Sequence, residues 1–190
     1  MSTHRQKLLE LVRSRALKRG VQVKLASGQS SDYYINCKDV TLHGPSLAVL
    51  GEAFAEELRA LPQPPEQVAG VSVGGDPMVA AVLIAAQRAG WELEGLLVRK
   101  EAKSHGLSQG KAVDGAAPRG GVWLVEDVIS TGGSLATAFA NLKREGYRVD
   151  GILALVDREM GGRERLEKEF GVPVKALFAV RQILETPSKS

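Results

Sequence analysis

Short apolar runs and longer amphipathic segments follow each other along most of the chain and predict alternating strands and helices. Runs rich in valine and leucine, bounded by glycine, proline or polar residues, are typical of strands buried on both faces of a sheet. Segments with apolar residues at every third or fourth position are typical of helices with one buried face. The predicted strands are 68–73, 93–99, one that begins at 122, 149–157 and 174–179, and the predicted helices are 46–61, 77–89, 135–145 and 162–170.

This alternation indicates an α/β fold, with a parallel, twisted sheet flanked by helices. Such sheets bind their ligands at the carboxyl ends of the strands. The first forty residues do not follow this alternation of strands and helices, because a predicted helix at 3–19 is followed by two predicted strands, at 21–25 and 33–37. We therefore expect a single domain over 1–190, divided into a small N-terminal cap (1–40), a core (41–185) and a short polar tail (186–190).

The segment 122–134, V-W-L-V-E-D-V-I-S-T-G-G-S, carries the most specific chemistry. Its hydroxyl and glycine residues connect a strand to a helix, where backbone N–H groups and the helix N-terminus favour an anion such as phosphate. Glu126 and Asp127 would repel a phosphate unless they face hydroxyl donors or Mg²⁺. A sugar phosphate with free hydroxyls satisfies both requirements. An ordinary strand–turn–helix corner with a solvated acidic pair is the alternative for the turn taken alone.

The same string resembles the phosphoribosyl diphosphate (PRPP) signature of type I phosphoribosyltransferases. In that family the acidic pair holds the ribose hydroxyls and the following loop holds the 5-phosphate. The resemblance implies a catalytic role for Asp127 and a Mg²⁺ cofactor held mainly through PRPP, without a protein metal site. It also implies that PRPP contacts Glu126, Asp127, Val128, Ile129, Ser130, Thr131, Gly132, Gly133 and Ser134.

A second strand–helix bend lies at 72–77, with paired glycines before Pro77. Many α/β proteins bend this way, so the turn alone is equally compatible with a structural role. In the resembled family this loop holds the diphosphate of PRPP. Several members of one branch of that family carry Tyr-Lys where this chain has Val73 and Gly74, so backbone amides would have to replace that lysine.

The polar loop 100–119 is long for a compact domain, and such loops are commonly lids or disordered segments. The motif R-K-E-A-K-S-H-G at 99–106 resembles the catalytic loop of orotate phosphoribosyltransferases, which reaches across a homodimer into the partner's site. The resemblance implies that Arg99, Lys100, Lys103 and His105 bind PRPP and that Lys103 is catalytic. A solvated charged loop is the alternative interpretation.

Two further stretches resemble the same branch. Residues 25–36 resemble the cap over the orotate ring, although members often carry lysine where this chain has Ala26; Lys24, on the same face of a strand, would be a substitute. Arg158 follows a predicted strand and suits bidentate carboxylate binding, unless it forms an ion pair with Glu159 or Glu164. The resemblance assigns Arg158 and Ser130 to orotate.

Composition excludes some functions. The chain has 25 basic and 22 acidic residues, a net charge of +3, and no long basic run, so no nucleic-acid partner is expected. One cysteine, no apolar run of membrane-spanning length and no signal-peptide core favour a cytoplasmic protein with no membrane contact. No zinc-ligand spacing and no nucleotide-triphosphate loop motif occur. Two alternatives stay open: the same transfer to another base, such as a purine, and a PRPP-sensing regulator that binds nucleic acid.

Overall fold

The structure is a computed structural model that describes residues 2–24, 30–101 and 110–185. The helices are α1 (Thr3–Leu11, continued by a π-helical turn, Val12–Ala16), α2 (Lys38–Thr41), α3 (Gly44–Arg59), α4 (Asp76–Arg88), α5 (Gly133–Arg144), α6 (Gly162–Phe170) and α7 (Val180–Leu184). The strands are β1 (Leu17–Lys24), β2 (Ser30–Ile35), β3 (Gln67–Val71), β4 (Glu94–Val98), β5 (Val113–Gly115), β6 (Gly121–Ile129), β7 (Arg148–Asp157) and β8 (Val174–Ala179).

Six of these strands form the central sheet, in the order β5-β4-β3-β6-β7-β8. All neighbours pair in parallel except β5, which is antiparallel to β4 at one edge. The chain passes from β3 outwards to β4 and later returns to place β6 on the other side of β3. The strand order therefore reverses between β3 and β6, and such a reversal opens a crevice at the carboxyl ends of the two strands.

Helices cover both faces of this sheet, which confirms the predicted fold class. Alternate residues of β6 point to opposite faces, as the two-residue period of a strand requires. Trp123 and Val125 pack in one apolar cluster with residues of α1, α3 and α4, whereas Val122 and Leu124 pack in a second cluster with residues of α5 and α6. The central strands are buried on both sides, which explains why their sequences read as continuous apolar runs.

The N-terminal region differs from the prediction in its boundaries. The first helix ends at Ala16 rather than Arg19, and β1 starts at Leu17, because antiparallel pairing with β2 extends from Leu17 opposite Ile35 to Lys24 opposite Ser30. Leu8 and Val12 are fully buried in the same apolar cluster as Phe178 of β8. The first helix thus packs on the core, and the division into cap and core stays a prediction.

Three short elements were not predicted: α2, β5 and α7. β5 lies inside the segment predicted as a structureless loop, and its pairing with β4 orders residues 113–115. Such short elements have little periodicity of their own and form through tertiary contacts. The polar tail lies outside the described residues. Within the described part of the chain, none of the helices is both long and apolar enough to traverse a lipid bilayer.

Candidate active site

The acidic pair lies where β6 ends, beside the reversal of strand order. Glu126 is only 8% exposed, and its Oε1 accepts a hydrogen bond from the backbone N–H of Asp127 at 3.3 Å. Its Oε2 is buried without a hydrogen-bond partner. Burial and the neighbouring carboxyl of Asp127 raise the pKa of Glu126 to about 9, although the hydrogen bond from the backbone N–H of Asp127 opposes that rise. A buried carboxyl oxygen without a partner is costly, and a ligand that donates hydrogen bonds would remove that cost.

Residues 130–134, here called the 130–134 loop, connect β6 to α5. Gly132 has a positive φ of 80°, and a Cβ atom there would lie 2.9 Å from the side chain of Leu166, so glycine is required on both counts. No side chain caps the N-terminus of α5, and its first turn carries no acidic residue. The backbone N–H groups and positive helix end are therefore open to an anion. A cavity of about 340 Å³ lies here, lined by Glu126, Asp127, Val128, Ser130, Thr131, Gly132, Gly133, Ser134 and Leu135.

The corresponding loop after β3, here called the 72–77 loop, forms the opposite side of the crevice. A Cβ atom on Gly75 would lie 2.6 Å from the backbone nitrogen of Val71, so the chain bends back on itself closely. Ser72 Oγ donates a hydrogen bond to Asp76 Oδ1 at 2.7 Å, and Asp76 lies in the first turn of α4. A second cavity, of about 360 Å³, is lined by Lys38, Thr41, Leu42, Val71, Ser72, Val73, Gly74, Pro77, Lys100, Glu126 and Ser134. Glu126 and Ser134 belong to both linings, so the two cavities adjoin.

Arg158 follows the end of β7, and its Nε atom is buried without a hydrogen-bond partner. Glu159 and Glu164, the two possible partners of Arg158 considered from the sequence, form ion pairs with other residues. Glu159 pairs with Arg181, and Glu164 pairs with Arg163 at 3.3 Å. The alternative of a surface ion pair for Arg158 is therefore not what the structure shows.

Cys37 lies close to both the acidic pair and Arg158. Its Sγ donates a weak hydrogen bond to the backbone oxygen of Asp127 at 4.0 Å. Burial and the negative charges of Asp127 and Glu126 raise the pKa of the Cys37 thiol far above its ordinary value, while the positive charge of Arg158 opposes that rise. The thiol is therefore neutral and acts as a packing group at the edge of the site.

The structure brings most of the predicted site residues together. Lys100, Glu126 and Ser134 line one cavity, and the acidic pair with Val128, Ser130 and the rest of the 130–134 loop lines the other. Arg99 lines neither cavity, because its Nε forms an ion pair with Asp114 Oδ2 at 3.0 Å. Ile129 is fully buried in the core, so only its backbone is available to a ligand. Ala26, Lys103 and His105, together with the side chain of Lys24, lie outside what the structure describes.

Sequence reasoning missed two contributions to the site. Lys38, Thr41 and Leu42 line the second cavity from α2 and the residue after it, a segment without periodicity that sequence left unassigned. Asn141 of α5 is 5% exposed and binds the backbone of Arg99, next to the polar loop 100–119, which is called the charged loop below. A polar residue among the buried positions of an amphipathic helix was a signal that could have singled it out.

A metal ion at this site would rely on its ligand for most of its coordination. Across residues 2–24, 30–101 and 110–185, no three His, Cys, Asp or Glu side chains form a cluster that could hold a metal. Glu126 and Asp127 nevertheless supply carboxylate oxygens of the kind that Mg²⁺ prefers, and one of these oxygens has no protein partner. The residues present fit a Mg²⁺ ion that arrives with a polyphosphate.

A parallel sheet with two open strand-to-helix loops and an acidic pair between them is the architecture of the type I phosphoribosyltransferase class. A crystal structure of orotate phosphoribosyltransferase from Mycobacterium tuberculosis H37Rv, in complex with Fe(III) dicitrate, matches with a TM-score of 0.80 and 31% identity over 95% of this chain and 98% of that chain. The same enzyme in complex with 5-phospho-alpha-D-ribosyl 1-diphosphate matches with a TM-score of 0.77 and 28% identity over 96% of this chain and 99% of that chain.

Sequence comparison agrees with the structural one. An orotate phosphoribosyltransferase of Thermosynechococcus vestitus is 41% identical over 183 residues, which cover 94% of this chain and 92% of the relative. No protein-family model matches the chain. This protein belongs to the orotate phosphoribosyltransferase family. The resemblance inferred from the sequence motifs is thereby confirmed.

Proposed function

We propose that the protein transfers the phosphoribosyl group of PRPP to orotate, giving orotidine 5′-phosphate and diphosphate in pyrimidine biosynthesis. The observation that carries the proposal is the pair of adjoining cavities at the reversal of strand order, with an unpartnered buried carboxyl oxygen of Glu126 in their shared wall. One cavity has open backbone donors for a phosphate, and the other has two lysines, Lys38 and Lys100, for a second anion. Family membership supports the same substrates.

The 130–134 loop would bind the 5-phosphate through its hydroxyls and the N-terminus of α5. Glu126 and Asp127 would then accept hydrogen bonds from the two ribose hydroxyls. Accepting them favours the ionised form of Glu126 over the neutral form that burial favours. As the bond to diphosphate breaks, positive charge develops on the anomeric carbon, and carboxylates fixed nearby stabilise it.

The diphosphate would lie along the 72–77 loop in the second cavity. Lys100 lines that cavity, and the resemblance adds Arg99, Lys103 and His105 as further cations, with Lys103 neutralising the leaving group. Mg²⁺ that arrives with PRPP would be held in part by the carboxylates of Glu126 and Asp127 and would supply positive charge that screens the diphosphate. Lys38 of α2 adds a positive charge on the same side.

Orotate would lie between Ser130 and Arg158, as the resemblance assigns. Arg158 Nε is buried and unpaired, and a carboxylate is the group that a guanidinium best accommodates. A homodimer in the cytoplasm, in which the part of the 99–106 segment that follows Lys100 reaches the partner's site, completes the proposal.

The decisive assay measures release of diphosphate from PRPP in the presence of Mg²⁺ and a candidate base. We expect release with orotate and none with uracil, which has the same ring but lacks the carboxylate that Arg158 would bind. Release with a purine instead would reassign the base. PRPP binding without release of diphosphate for any base would favour the alternative, a PRPP-sensing regulator. Binding of the protein to RNA or DNA in the same buffer would support that alternative.

A further inference from the structure

Asn141 of α5 and Glu145, the residue that follows α5, lie one turn apart, and both bind the backbone in or next to the charged loop. Asn141 Nδ2 donates to the carbonyl oxygen of Arg99 at 2.8 Å and approaches that of Lys100 at 3.5 Å. Glu145 Oε1 accepts from the backbone N–H of Ala112 at 2.6 Å. One helix therefore binds the chain on both sides of residues 101–111.

A direct backbone hydrogen bond closes this arrangement. The N–H of Arg99 donates to the carbonyl oxygen of Ala112 at 2.8 Å, next to the antiparallel pair Val98 and Val113. Ala112 is fully buried and Asn141 nearly so, although the side chains of Arg99 and Lys100 are exposed. Helix α5 thus fixes the backbone from which an exposed lysine side chain extends.

The side chain that depends on this backbone is that of Lys100. It lines the second cavity together with Glu126, and its positive charge favours the ionised form of that carboxyl. Arg99, the neighbouring cation, is already paired with Asp114. Among the described residues, Lys100 and Lys38 are therefore the cationic side chains that line this cavity.

We propose that Asn141 is a positioning residue for PRPP binding, which acts by holding the backbone of Lys100 so that its ammonium group faces the cavity wall formed by Glu126. The inference rests on the proposed function, because it assigns the diphosphate of PRPP to this cavity. Asn141 touches no substrate in this proposal. The same helix that would receive the 5-phosphate at its N-terminus therefore also fixes, further along its length, a cation for the diphosphate end.

The test is a double-mutant cycle between Asn141→Leu and Lys100→Ala, with the Michaelis constants of PRPP and orotate measured separately. Leucine is close to asparagine in shape but donates no hydrogen bond, so we expect the PRPP constant to rise about tenfold. The orotate constant should stay within about twofold, because Arg158 and Ser130 are untouched. In the Lys100→Ala background, Asn141→Leu should add almost nothing, since the residue through which it acts is already gone.

Phe139→Leu provides a matched control for loss of stability. Phe139 is buried on the same helix and stacks on Phe170 with ring centroids 3.9 Å apart, and its side chain forms no hydrogen bond to the charged loop. The substitution should lower the melting temperature without selectively raising the PRPP constant. If Asn141→Leu affects PRPP no more than Phe139→Leu does, or is additive with Lys100→Ala, Asn141 has only a structural role and the inference is wrong.

Two additions keep the test decisive. Should Asn141→Leu not fold, Asn141→Ser removes the long-reaching amide with less crowding and enters the same cycle. Calorimetric titration of Mg²⁺ and PRPP without orotate separates this inference from the proposed reaction. A loss of PRPP affinity in Asn141→Leu that disappears in the Lys100→Ala background would support the inference, even if no base accepts the phosphoribosyl group. Unaltered PRPP affinity in Asn141→Leu, with normal turnover, would overturn the inference and leave the proposed reaction intact.

Discussion

The 130–134 loop and the 72–77 loop occupy equivalent positions in the fold but differ in electrostatics. Each leaves the carboxyl end of a parallel strand, bends at paired glycines and enters a helix. The first turn of α5 contains no acidic residue and no side-chain cap. The first turn of α4 contains Asp76, which accepts a hydrogen bond from Ser72 at 2.7 Å. The N-terminus of α4 therefore already has an anion, and that of α5 has none.

This difference indicates how each loop would accommodate a phosphate group. The 130–134 loop can bind a phosphate with its own N–H donors and hydroxyls. The 72–77 loop presents a carboxylate, so a diphosphate there needs positive charge from elsewhere. Lys38 and Lys100 line that cavity, and Mg²⁺ would add more. Positive charge in this site is thus needed mainly on the side of the leaving group.

Removal of the cation assigned to the leaving group should have the largest effect. We expect Lys103→Ala to lower turnover about 10²- to 10³-fold, because the charge that develops on the departing diphosphate loses a fixed partner. PRPP affinity should change only a few-fold, since the 130–134 loop and the acidic pair are intact. Single-turnover kinetics and equilibrium titration separate the two quantities. Unchanged turnover would exclude Lys103 as the residue that neutralises the leaving group.

Placing a carboxylate in the first turn of α5, as Asp76 is in α4, tests the electrostatic difference between the two loops directly. Gly133 is the first residue of α5, as Asp76 is of α4, and a Cβ atom at Gly133 would meet nothing within 4 Å. We expect Gly133→Asp to weaken binding of ribose 5-phosphate about 10- to 100-fold relative to Gly133→Asn, because the added charge repels the phosphate. Calorimetric titration without Mg²⁺ gives the affinity. Equal affinities for the two variants would show that the phosphate does not bind at the N-terminus of α5.

The reciprocal change belongs to the same comparison. Asp76→Asn keeps an oxygen that can accept from Ser72 but removes the charge beside the diphosphate. Half-maximal PRPP binding should then require several-fold less Mg²⁺, which a titration at fixed PRPP would show. An unaltered Mg²⁺ requirement would mean that Asp76 does not interact electrostatically with the diphosphate.

A third strand end, that of β7, sharpens the comparison because it carries a cation, Arg158, whose Nε atom is buried without a hydrogen-bond partner. Arg158→Ala should raise the Michaelis constant of orotate about 10- to 100-fold while that of PRPP changes less than about threefold, since a charged hydrogen-bonded pair is lost only for the base. Arg163→Ala, at an arginine that contacts Asp157 and Glu164 instead, is the control. Equal effects of Arg158→Ala on both substrates would exclude it from the base site.

Sequence predicted the parts of this molecule that are governed by local pattern. The buried strands β3, β6, β7 and β8 and helices α4, α5 and α6 were found because apolar periodicity and glycine or proline boundaries determine them. The acidic pair and the 130–134 loop were found because their chemistry is contiguous in sequence. Their placement at one sheet edge followed from parallel topology.

The remaining features depend on contacts between distant segments. α2 forms against the core and β5 forms against β4, so neither sequence has a periodicity that predicts the element. The pairing of Arg99 with Asp114 follows from the antiparallel register of β4 and β5, in which Leu97 lies opposite Asp114. The burial of Glu126, which determines its pKa, likewise depends on the packing of several elements around it.

That burial leads to a last prediction, at the wall that both cavities share. Glu126 has a pKa of about 9 in the folded protein, against 4.5 for an ordinary glutamate. Between these values the folded state retains a proton that the unfolded state has lost, so stability is full below pH 4.5 and decreases as pH rises towards 9. Glu126→Gln keeps a neutral side chain at every pH and should not lose this stability.

We therefore expect the two proteins to melt at similar temperatures near pH 5, and the Glu126→Gln variant to become the more stable one as pH rises. The gain should approach about 5 kcal/mol near pH 8, or on the order of 10 °C in melting temperature. Glu10→Gln, at an exposed position of α1, is the control and should leave the pH dependence unaltered. Saturating PRPP should reduce the difference or reverse it, because ribose hydroxyls bind the ionised carboxylate that only glutamate supplies. If the melting temperatures of both proteins depend on pH in the same way from about pH 5 to 9, Glu126 is ionised in the free protein. The wall between the two loops would then carry a negative charge.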